Sequence, residues 1–64
     1  MNINEFFKKY NFGEVEKNIL IGIIENSDNA RILSEDIAET FGIQLSLTQV
    51  EILRNSYYKE YSCG

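Results

Sequence analysis

At 64 residues, 44% hydrophobic and 25% charged, the chain has room for a single domain and too much apolar content for a disordered segment. Ten acids against six bases give a net charge of −4, and there is no His, no Trp and one cysteine. These totals exclude a disulfide framework, a cysteine–histidine zinc site and histidine-based acid–base chemistry.

No apolar run approaches the ~20 residues of a membrane helix, and MNINEFFKKYNF lacks the apolar stretch of a signal peptide. The expectation is a cytoplasmic protein, in the host cytoplasm if a phage encodes it. Cys63, next to last, is expected to be a tail thiol without a role.

The pattern predicts an all-α compact bundle of three to four short helices spanning residues 1–64. The first runs from Asn2 to Tyr10 or Asn11, capped by Asn2 with Glu5 three positions on, and Ile3, Phe6, Phe7 and Tyr10 share its apolar face. Gly13 closes this unit. The second covers Glu14 to Asn26, with Val15, Ile19, Leu20, Ile23 and Ile24 on one broad face. Ile21 falls among polar residues on the other side, so it needs either a covering layer or an interface.

ENSDNAR then reads as a turn. Ser34 is the expected cap of the third helix, with Glu35 and Asp36 in its first turn, Leu33 and Ala38 as a hydrophobic staple and Gly42 as a left-handed C-cap. Ser46 with Gln49 forms a capping box for the fourth helix, stapled by Leu45 and Val50. Its inner stripe is Val50, Leu53, Tyr57 and Tyr61, supported by Leu47.

Charge is unevenly distributed along this plan. Residues 14–29 carry −3 and residues 30–46 carry −2, while residues 1–13 carry +1 and residues 47–64 balance. The acid-rich side, Glu14, Glu25, Asp28, Glu35, Asp36 and Glu39, is one candidate binding surface for a basic partner. Tyr58, off the inner stripe, and Ile21 are the candidate apolar contacts, for a partner or for a homodimer.

The segment EKNILIGII, then SEDIAETFGI and SLTQVEIL, resembles the helix-turn-helix core of small bacterial or phage regulators, including winged-helix ones, over residues 16–53. Ala38 matches the small residue where two helices cross, Gly42 the turn glycine, and Val50 with Leu53 the inner positions of the second helix. The link IQLS is longer than usual, and YYKEYSCG leaves no length for a β-hairpin wing. The resemblance implies that Thr48, Gln49, Glu51 and Asn55 on the Leu47–Tyr61 helix face base edges, with Arg54, Lys59 and Arg31 near phosphates. Useful DNA sites neutralise about 6–10 phosphates, more than these cations supply. In size and charge the chain also resembles phage-encoded inhibitors, anti-CRISPR proteins and antirepressors.

Neither enzyme nor metal chemistry is expected. ENSDNARILSED places Glu25, Ser27, Asn29 and Asp36 at the ligand positions of a calcium loop. Its sixth position, however, is Ala30 rather than glycine, and its last is Asp36 rather than a bidentate Glu. The expected function is non-enzymatic and cofactor-free: binding a protein partner, with no membrane role. The alternative is DNA reading by the fourth helix.

Overall fold

A computed structural model describes residues 2–61, which fold as four helices: α1 (Ile3–Lys9), α2 (Glu14–Asn26), α3 (Ala30–Phe41) and α4 (Leu47–Glu60). No strand occurs among the described residues, and the class is an all-α bundle. Cys63 lies outside the described residues.

Helix ends follow local chemistry. The Asn2 side chain accepts the Glu5 N–H at 2.8 Å, and Glu5 returns the bond to the Asn2 N–H at 3.2 Å. The end of α1 falls where expected, and the residue that turns the chain is the left-handed Asn11 (φ 59°). The Phe12 N–H reaches the Phe7 carbonyl at 2.9 Å and the Asn11 N–H reaches Lys8 at 3.3 Å, the paired bonds of a Schellman ending. Its usual apolar contact is the stacked pair Phe7–Phe12, with ring centroids 5.8 Å apart. Gly13 instead begins α2, donating its N–H to Glu16 Oε1 at 3.1 Å.

The start of α3 corrects the sequence expectation. Asn29, not Ser34, is the cap, its side chain accepting the Ile32 N–H at 3.0 Å. Both residue types cap well, so tertiary burial decides. Beginning at Ala30 adds a helical turn that carries Leu33 into the core, fully buried. Glu35 and Asp36 therefore sit one turn further in than expected. The far end is as anticipated: Gly42 has φ 70° and donates to the Ala38 carbonyl at 2.9 Å. Ser46 and Gln49 form the expected box on α4, with bonds of 3.2 and 3.3 Å.

One core joins all four helices. Ile3, Phe6 and Phe7 of α1 pack with Leu20 and Ile24, Leu33 and Ile37, and Val50, Leu53 and Tyr57. The molecule measures 30 × 24 × 20 Å, and α4 lies against both α3 and α1 while α2 lies against α3. Phe12 and Phe41 seal one end, with centroids 4.8 Å apart.

At the other end a polar seam holds α1 to α4. Ser56 Oγ accepts the Ile3 N–H at 2.9 Å, and the Tyr61 hydroxyl donates to Asn4 Oδ1 at 3.0 Å. Asn4 Nδ2 also donates to Glu60 at 3.2 Å.

The predicted face of α2 is rotated, while that of α4 holds at Val50, Leu53 and Tyr57. Leu20 and Ile24 are the fully buried residues of α2, whereas Val15 and Ile19 of the expected inner face point to solvent. Ile21 is half-buried and packed against the core, so the covering layer it needed comes from within the fold. On α4, Leu47 and Tyr61 are also exposed.

Candidate partner-binding surfaces

The six acids of the expected face come from α2, the turn after it and α3. Glu14 and Glu25 stand at opposite ends of α2, about 16 Å apart along its axis. Glu25, Asp28, Glu35 and Asp36 come from the end of α2, the following turn and the middle of α3, with Glu39 one turn beyond Glu35. Two of these already have intramolecular tasks. The Tyr57 hydroxyl donates to Glu25 Oε2, and the Ser27 hydroxyl lies 3.5 Å from Asp36 Oδ2.

That first bond pushes the Tyr57 phenol up from 10.0 to about 12, because the hydroxyl hydrogen bond to Glu25 favours the protonated form; burial and the nearby carboxylate charge act in the same direction. Ser27 is buried, and its hydroxyl also returns a 2.7 Å bond to the Ile23 carbonyl, tying off the end of α2. Ser27 thus spends its hydroxyl hydrogen on α2 itself and only lies near Asp36 of α3. Glu14, Glu16, Asp28, Glu35 and Glu39 are exposed; Glu14 pairs at 4.0 Å with Lys17, and Glu16 accepts the Gly13 N–H. Such a surface pair contributes little.

The outward side of α4 presents Thr48, Glu51, Asn55 and Lys59, all exposed. Two other residues of the DNA-reading set are engaged within the fold. Gln49 Oε1 accepts the Ser46 N–H, and the Arg54 guanidinium lies 5.3 Å from the Tyr58 ring centroid with its Nε buried and unpartnered. Tyr58 remains 37% exposed and sits edge-on to Tyr57, 5.1 Å away, so its contact surface is shared with Arg54 and Tyr57. Lys59 and Asn55 border an open groove of about 410 Å³, floored by Ile52 and walled by Asn2 and Glu60.

Two of the remaining four cations meet elsewhere. Lys8 and Lys17 flank a second groove, about 500 Å³, over the rings of Phe7 and Phe12. The Lys17 ammonium is 5.4 Å from the Phe7 centroid, a cation–π contact that holds it against the α1 side. Sequence reading missed this grouping, since Lys8 and Lys17 meet only through the left-handed turn at Asn11.

Among the described residues no three metal-ligating side chains converge, and the calcium-loop positions are taken up differently: Asn29 caps α3 and Ser27 bonds to backbone. No helix among them is long and apolar enough to cross a membrane.

Fold and surface thus define a small all-α bundle with acidic outer sides on α2 and α3 and a charge-balanced one on α4. Compared with known protein families, curated proteins and solved structures, the chain matches none.

Proposed function

We propose that this protein is a non-enzymatic binding protein whose partner is a positively charged protein surface, acting as an inhibitor or regulator of a nucleic-acid-handling system. The observation that carries this reading is the charge of the exposed sides. Glu14, Glu16, Glu25, Asp28, Glu35 and Glu39 are exposed on α2, α3 and the turn between them, while Lys17 is drawn inward over Phe7 and Arg31 is the one other cation there. Complementary charge of this kind speeds encounter and excludes wrong partners.

A second reading, DNA binding, draws on α4. With α3 and residues 42–46 it makes up the stretch whose sequence resembles a helix-turn-helix, and Thr48 and Asn55 are exposed on it. Against it, Arg54 is stacked on Tyr58 and Lys59 shares its helix face with Glu51. That leaves too little positive charge to hold a polyanion.

The deciding experiment titrates the labelled protein with a lysine-rich polypeptide and, separately, with duplex DNA fragments, at low and at physiological salt. The protein-partner reading expects the polypeptide alone to bind, weakly at physiological salt. Double reversal of Glu35→Lys and Glu39→Lys should cut its affinity about tenfold, since both carboxylates point outward and neither supports the fold. A duplex complex that survives physiological salt and is lost in Lys59→Glu would overturn the conclusion and install the DNA reading.

A further inference from the structure

Gly22 occupies the middle of α2, where glycine is about 0.8–1 kcal/mol less favourable than alanine. Nothing within the fold requires it. Its φ is not positive, and a Cβ at this position would meet no atom within 4 Å. The vacant space lies outward, opposite Leu20 and Ile24, on the side that also carries Val15 and Ile19, 68% and 42% exposed. Val15, Asn18, Ile19, Gly22 and Asn26 share that side at helical spacing. It is a short apolar ridge followed, one turn on, by a gap where another chain can approach the helix backbone closely.

Acids border the ridge. Glu14 and Glu25 follow one margin and Glu16 the other, all exposed, while the single lysine of α2 lies over Phe7 and within 4.0 Å of Glu14. The complement of an apolar ridge between acidic margins is an apolar stripe between basic ones.

We propose that the outer face of α2 is the docking site for a basic amphipathic helix of the partner, with Val15 and Ile19 on its apolar stripe and a partner side chain entering the gap at Gly22. This rests on the protein-binding reading and names its surface. A second copy fits the shape, because an antiparallel α2 would set Val15 over Gly22 of its mate. Charge opposes it, since that contact brings together the acidic margins of two chains of net charge −4 each.

The test uses the full chain, isotopically labelled, and three synthetic peptides. One is a leucine–lysine amphipathic helix, one has the same composition with the apolar stripe scrambled, and one is the leucine–glutamate counterpart. The expected result is binding of the first alone, with amide shifts centred on Val15, Asn18, Ile19 and Gly22. Val15→Lys and Gly22→Leu should each weaken it about tenfold. Unchanged helicity and thermal midpoint in both variants would separate loss of docking from loss of fold, and Gly22→Ser serves as a milder block.

Equal binding of the scrambled peptide would overturn the proposal. Shifts confined to Glu35 and Glu39, with none at Val15 or Ile19, would overturn it while leaving the protein-binding reading intact. Self-association through Val15 without peptide binding would assign the face to a second copy and overturn it too. No response to either basic peptide, together with a duplex complex, would overturn both.

Discussion

Replacing Gly22 with alanine should stabilise the protein, and the size of the effect can be worked from the structure. Position 22 is interior to α2, so the helix-propensity difference of about 0.8–1.0 kcal/mol applies in full. The added methyl meets nothing within 4 Å, so no clash is subtracted and no burial is added. For a domain of this size each kcal/mol moves the thermal midpoint by about 4–8 °C, which gives an expected rise of roughly 3–8 °C. Circular dichroism melts would measure it, with urea titrations raising the midpoint at constant slope.

Gly42→Ala supplies the control. Its Cβ also meets nothing within 4 Å, but its φ of 70° is left-handed. That substitution should destabilise by about 1 kcal/mol, the strain of an L side chain in that region. Space is equal at the two glycines and only the backbone differs. A falling midpoint in Gly22→Ala, or the same sign in both variants, would refute the reasoning.

Three further outcomes follow from the same contacts. Asn29→Ala should cost about 1 kcal/mol while Ser34→Ala is neutral or slightly stabilising, because the cap of α3 lies at Asn29; urea midpoints of the two variants check this. The Tyr57 phenol, raised from 10.0 to about 12, favours the folded state fully below pH 10 and loses that contribution as pH climbs through about 12. The stability gap between the parent protein and Tyr57→Phe should therefore narrow across that window. Ser56→Ala should leave the Ile3 N–H unpaired and cost about 1 kcal/mol, with hydrogen exchange accelerating first in α1.

The helices themselves were legible from residue types. The bounds of α2 follow from EVEKN and Asn26, and the boxes at Asn2 and Ser46 announce α1 and α4. Ser34 misled because it satisfies the same local rule as Asn29; the choice between them rests on burying Leu33, which is a tertiary matter. The azimuth of α2 was also out of reach. ILIGII is apolar almost all round, so periodicity left the inward direction open by roughly 70° on an ideal wheel. Packing against α3 put Leu20 and Ile24 inside and left Val15 and Ile19 out. The exposed apolar residues of α2 are therefore Val15 and Ile19, and Ile21 packs on the core. The coupling of Glu25 to Tyr57 spans 32 positions and has no local signature.

The seam between α1 and α4 has a consequence during synthesis. Ile3 and Ser56 are 53 positions apart, and Asn4 reaches Tyr61 across 57. At about 5–20 residues per second, the first helix waits several seconds for its dock to be translated. Throughout that interval α1 lacks the helix it docks on, so Ile3 and Phe6 stay partly open until α4 is made. Sticky encounters with ribosomal neighbours or chaperones should accordingly begin at α1.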